Sequence, residues 1–178
     1  MNEIALIAEA IPTQYITDMA FEIRRVKLFG RLFVLGVGGS AANASHAVND
    51  FRKIGGVEAY APTDNVAELT AIANDVGWNM IFKHWLMESK LRPSDVVLVL
   101  SVNGGTDVYS QNLVEAIKYT KDQIGASVLA IVGRKDGYAA LNAHHWVAVP
   151  CPNDEHRTPH AESFQSVICH LLAFMVRT

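Results

Sequence analysis

Two kinds of apolar pattern alternate along the chain. From residue 1 to about 25, apolar positions recur at helical spacing. Ile4, Ile7, Ala8 and Ile11 share one face, and Ile16, Met19, Ala20 and Ile23 continue the stripe. Pro12 separates the halves and is expected to end or kink the first. From residue 31 short strand-like runs take over, at Leu32–Leu35, Glu58–Ala61, Val96–Leu100, Ser127–Val132 and Trp146–Val149. Between them the spacing predicts helices from Ser40 to about Arg52, from Asn65, over 78–90, from about Asp107 to Lys121, and from about Pro159 to Val176. Asn65 and Glu68 have capping-box spacing, and Pro159 suits a first helical turn. Continuous apolar strands separated by helices predict an α/β domain. Its parallel five-stranded sheet is doubly wound and flanked by helices, a flavodoxin-like three-layer sandwich.

One unit occurs twice. A strand, a Gly/Ser-rich turn and a helix follow one another at residues 32–52 and again at 96–121. The turns are Gly36-Val37-Gly38-Gly39-Ser40 and Ser101-Val102-Asn103-Gly104-Gly105-Thr106. In such folds ligands sit at the carboxyl ends of the strands, where both turns lie. A helix N-terminus behind a glycine-rich turn offers free N–H groups and a positive dipole end to an anion. Neither turn is a nucleotide fingerprint. Ala41 stands where the dinucleotide motif needs its third glycine, and no Gly-Lys-Ser/Thr follows. No nucleotide cofactor is expected.

Composition narrows the partners. The 178 residues fit one domain spanning 1–178, and half of them are hydrophobic, enough for a sizeable core. Charged residues are 19% and the net charge is −3, without a basic patch, which argues against nucleic acid. No window reaches the roughly 18 apolar residues of a membrane span, and Met1-Asn2-Glu3-Ile4 does not read as a targeting segment. A cytoplasmic protein is expected. Cys151 and Cys169 are too few for a disulfide framework and read as buried free thiols.

At these residues the chain resembles a known family. Gly36 through His46 looks like the opening motif of bacterial phosphoheptose isomerases, which are SIS (sugar isomerase) domain proteins. Leu69–Asp75 with Gly77 and Phe82 resembles that family's next segment. Ser101–Thr106 stands at its phosphate loop, and Val132–Gly137 resembles the turn after that. The resemblance runs from about residue 30 to the end. It implies conversion of sedoheptulose 7-phosphate to an aldose phosphate through an enediol. It also implies a homotetramer with sites built between subunits, the helix of residues 1–25 packing at an interface. Ser101, Asn103, Gly104 and Thr106 would hold the phosphate. Gly38, Gly39 and Ser40 would lie near the sugar, and Asp75 and Glu162 would contact substrate. Asp50 and His170 would be the catalytic pair. Some members bind zinc through the equivalents of His46, Asp50, Glu162 and His170, so one divalent ion per site is implied.

The chain departs from the family at several of these positions. Val37 replaces the usual Asn, Val102 and Asn103 replace Thr and Ser, Asp50 is one methylene shorter than Glu, and Glu162 replaces Gln. These changes bear on the sugar and keep two alternatives open: a non-catalytic sugar-phosphate-binding or assembly protein, and an isomerase for another phosphosugar.

The residues also speak for themselves. Moving a proton between adjacent carbons needs a base and an acid. His46 and Asp50, four apart on one helix, share a face. His170 lies on another helix and can meet them only through the fold or a second subunit. Glu162 and His170 are about 12 Å apart along an ideal helix. One ion can therefore take both only if Glu162 precedes the regular helix or if the ligands come from different chains. His144 and His145 read as structural, His156 and His160 as part of a solvated loop, and Trp78, Trp85 and Trp146 as core or interface residues.

Overall fold

The computed structural model describes residues 2–106 and 108–177. The first helical stripe is broken where Pro12 requires it, giving α1 (Asn2–Ala10) and α2 (Thr13–Phe29). Five parallel strands follow: β1 (Leu32–Gly36), β2 (Ala59–Tyr60), β3 (Val96–Ser101), β4 (Ser127–Val132) and β5 (His145–Ala148). Their order is β2-β1-β3-β4-β5, with Leu32 paired to Val96 and Val96 to Ser127. The order reverses between β1 and β3. Both predicted turns leave the sheet at this topological switch point, where open α/β sheets form their ligand crevice.

Alternation along the strands divides the core in two. Leu32, Val34, Val96, Leu98, Leu100, Leu129 and Ile131 pack with α1, α2, α3 (Gly39–Asp50) and α8 (Arg157–Met175). Phe33, Leu35, Val97, Val99, Val128, Ala130 and Val132 face the other way. There they meet α4 (Val66–Asp75), α5 (Ile81–Glu88), α6 (Gln111–Lys118) and α7 (Tyr138–Asn142). Sheet residues buried on both faces explain why the strands read as unbroken apolar runs. Each such Leu, Ile or Phe contributes roughly 1.5–3 kcal/mol by leaving water.

The repeated unit is deeper than its sequence echo. Both α3 and α6 run on into a π-helical turn, Phe51–Gly55 and Tyr119–Ile124, and each closes on a left-handed glycine, Gly56 and Gly125. A Cβ on Gly36 would collide with the Ser40 carbonyl, so glycine is needed for α3 to leave β1 so tightly. Asp107, given as the start of the helix ending near Lys121, lies outside the described residues; the described α-helix begins at Gln111. Thr106 accounts for part of the delay, because its Oγ1 accepts the N–H groups of Val108 and Tyr109 and holds a turn there.

Candidate active site

α3 places His46 and Asp50 one turn apart, and α8 crosses α3 so that His170 meets them. His170 Nε2 lies 3.1 Å from Asp50 Oδ2 and 3.2 Å from His46 Nε2, and His46 Nε2 lies 3.4 Å from the same oxygen. Asp50 is buried, while both rings are about half exposed. Asn49 Nδ2 donates to Asp50 Oδ1 at 3.1 Å. Oδ2 is buried without a hydrogen-bond partner, because both ring nitrogens are near but neither aims a proton at it.

The tautomer explains the tension. His170 Nδ1 is 2.8 Å from the Ser166 carbonyl oxygen. That oxygen can only accept, so Nδ1 carries the proton and Nε2 of a neutral ring presents its lone pair. A lone pair and a carboxylate oxygen then face each other at 3.1 Å. A shared proton or a cation between them relieves the repulsion. The three donor atoms all lie within 4.8 Å of one another. Their spacings approach the roughly 3.3 Å edge of a tetrahedron with zinc–ligand bonds of about 2.0–2.1 Å. Two imidazoles and a carboxylate are a donor set that suits a divalent ion of the zinc type, so the residues present fit one.

Glu162 is not in this group. α8 is already regular at Glu162, so the ideal-helix separation from His170 holds. Its carboxylate lies instead against Gly39 at the start of α3, where a Cβ on Gly39 would be 2.6 Å from Oε1. Asn43 on α3 donates to the Glu162 carbonyl at 2.8 Å, tying this end of α8 to the first turn. Ser40 is buried beside it, and Gly38 takes a left-handed φ of 63°.

The second turn is held by its own polar atoms. Ser101 Oγ accepts the Gly104 N–H at 3.0 Å, and the carbonyls of Gly104 and Gly105 accept the N–H groups of Ala139 and Tyr138. Asn103 and Thr106 line a cavity of about 300 Å³ with Val108, Tyr109, Arg134, Asp136 and Gly137. Arg134 was not named as a candidate, though it lies in the 132–137 segment that carried part of the resemblance. Its guanidinium pairs with Asp136 at 2.7 and 2.9 Å and holds that carboxyl below the usual range. Asp75 joins neither group within one chain; it lies in a shallow cavity with His84 and Glu88 between α4 and α5.

Other histidine and cysteine expectations divide. His144 is structural, its Nδ1 accepting the Val128 N–H at 2.9 Å. His160 is in α8, not in a loop, and with His156 it contacts Glu3. Cys169 is buried, but Cys151 is only half-buried. Trp85 is core, whereas Trp78 is half exposed. Among the described residues no helix is long and apolar enough to cross a membrane.

No family model matches the chain. It is 33% identical over 147 residues to a phosphoheptose isomerase of Geotalea daltonii, covering 80% of this chain and 71% of the relative. It is 31% identical over 180 residues to that of Aquifex aeolicus, covering 98% and 91%. The solved phosphoheptose isomerase of Neisseria gonorrhoeae superposes with a TM-score of 0.82 at 26% identity, over 96% of this chain and 90% of that one. With its sheet order and the α3–α8 constellation alongside these relatives, the chain belongs to the phosphoheptose isomerase family of SIS-domain proteins.

Proposed function

We propose that this protein interconverts sedoheptulose 7-phosphate and an aldose phosphate through an enediol. The observation that carries the proposal is the convergence of Asp50 Oδ2 and His170 Nε2 at 3.1 Å, where α8 crosses the far end of α3. Asp50 takes the proton from the carbon next to the carbonyl and returns it to the neighbouring carbon. His170, its other nitrogen held by Ser166, moves a proton between the two substrate oxygens. Ser101, Asn103, Gly104 and Thr106 hold the phosphate, while Gly38, Gly39 and Ser40 border the sugar, with Glu162 beside them. The length of α3 sets Asp50 about 16 Å from these turns of its own chain, so the Asp50–His170 pair that meets this substrate comes from a neighbouring subunit. Asp75 reaches substrate from a neighbouring subunit. His46, Asp50 and His170 would hold a divalent ion, which would supply a Lewis acid to polarise the carbonyl.

The functional unit is a homo-oligomer, a tetramer on the family pattern, working in the cytoplasm. Exposed apolar side chains support association: Ile4 and Leu6 on α1, Phe21 and Leu28 on α2, and Val167, Leu171 and Phe174 on the His170 end of α8. Large exposed apolar side chains of this kind suit a subunit interface.

Purified protein incubated with sedoheptulose 7-phosphate should yield its aldose isomer, read by the new anomeric signals in NMR. Asp50→Asn should lower turnover by at least about 10²-fold, the range of a lost general acid–base group, with circular dichroism unchanged. Failure to convert this or any other sugar phosphate would sink the catalytic reading. Chelation should abolish turnover and added zinc restore it; undiminished turnover after chelation would remove the ion from the scheme.

A further inference from the structure

We propose that Glu3, His156 and His160 form a second divalent-cation site, separate from His46, Asp50 and His170, which fastens α1 onto the start of α8. Glu3 Oε2 lies 2.9 Å from His156 Nδ1 and 2.6 Å from His160 Nε2. One donor atom from each residue lies within 4.8 Å of the others, and this is one of two such groups among the described residues. The site does not depend on the proposed catalytic activity, because it shares no residue with the triad.

Three observations converge on a ligand. First, the donor types match a zinc-like ion: two imidazole nitrogens and a carboxylate oxygen. His156 occupies the N-cap position of α8 and His160 follows four residues later; their ring centroids are 5.9 Å apart and both rings face Glu3. Second, the group is half open. The His160 side chain is 16% exposed and the His156 side chain 51%, which leaves room for water to complete the coordination. Without a cation both ring nitrogens sit within hydrogen-bond distance of one carboxylate oxygen. An ion would need the two contacts to open by about 0.4 and 0.7 Å to reach the roughly 3.3 Å spacing of zinc ligands with bonds of about 2.1 Å, which a side chain at the end of a short helix can supply.

Third, α1 has little else to hold it. It has nine residues, and Ile7 is its buried one. A helix that short does not persist on its own in water. The Glu3 contacts bridge 153 and 157 positions of sequence, so an ion here would join the first described turn of the chain to its last helix. The positive end of α8 opposes a cation nearby, and the Glu3 carboxylate supplies the countercharge. The adjoining Arg157 reaches from α8 to the Gly133 carbonyl at 2.7 Å, so the clamp sits on a segment already tied to the 132–137 turn.

The test is a zinc titration of the full chain at neutral pH, counting bound equivalents, with hydrogen exchange of residues 2–10 as a second readout. Zinc at about ten times its Kd should slow exchange across α1 about tenfold. The pair His156→Gln/His160→Gln should lose one equivalent per chain and the zinc-dependent protection. Glu3→Gln should weaken both and serves as the second variant if the pair fails to fold. His46→Asn/His170→Asn should keep the α1 response whether or not the triad holds an ion. If the His156/His160 pair binds as much zinc as the unaltered chain, or zinc leaves α1 exchange unchanged, the site does not exist.

Discussion

At the scale of single residues, Asp50 depends on where it falls in α3. It is the last residue before the π turn at Phe51–Gly55, so it keeps the i,i+4 relation to His46 that a shift in helical phase would destroy. The pair was legible from that spacing, whereas its third member was not. His170 sits among Ile168, Leu171 and Leu172, an apolar setting that by itself describes a core histidine. Only the crossing of α8 over α3 turns its ring toward Asp50. Its neighbour Cys169 behaves oppositely: burial pushes the thiol up to about 12, with the Asp50 charge adding to the effect. At pH 8 an alkylating reagent should therefore modify half-buried Cys151 in the folded chain and Cys169 only after unfolding. Modification of both at equal rates, read by peptide mass, would contradict this burial.

At the scale of elements, β1, β3 and β4 were readable because they are buried on both faces, and the turns after β1 and β3 because each carries glycine. The helix ends were less so. Asn65 caps α4 by accepting the Glu68 N–H at 3.3 Å, as the capping spacing predicts. The Glu68 carboxylate, however, accepts from Trp85 Nε1 at 3.0 Å, so the tertiary partner takes the group that a full capping box would use. The amino edge of the sheet is pinned by a pair that no motif announced. Asp95 is buried and accepts from the Arg31 backbone N–H, its guanidinium and the Arg92 N–H, joining the starts of β1 and β3. Asp95→Ala would leave Arg31 without its carboxylate and the two N–H groups without an acceptor. It should cost about 3 kcal/mol in urea unfolding with an unchanged m-value. A loss under about 1 kcal/mol would mean that water replaces the carboxylate.

At the scale of the whole molecule, the face of α8 that carries His170 also carries Val167, Leu171 and Phe174 uncovered. Substituting Val167→Asp/Phe174→Asp places charges where a second copy would pack. Light scattering should then show the mass of one chain, with turnover reduced in step. An unaltered oligomer would move the interface elsewhere. What the sequence determined by itself is what repeats at short range. Apolar runs and helical stripes set the α/β class, and Pro12 set the break between α1 and α2. The two glycine-rich turns marked the end of the sheet where ligands bind, and the resemblance pointed to the family. What only the tertiary structure decided is which distant side chains meet. His170 comes within 3.1 Å of Asp50 from 120 residues away, Glu162 goes to Gly39 rather than to the triad, and Glu3 finds His156 and His160 across the chain. The physical reason is one of range. Periodicity and turn chemistry act over a few residues, while these meetings depend on how α8 crosses α3 and how α1 docks. Those crossings are set by packing over the whole sheet face, which no local stretch of sequence encodes.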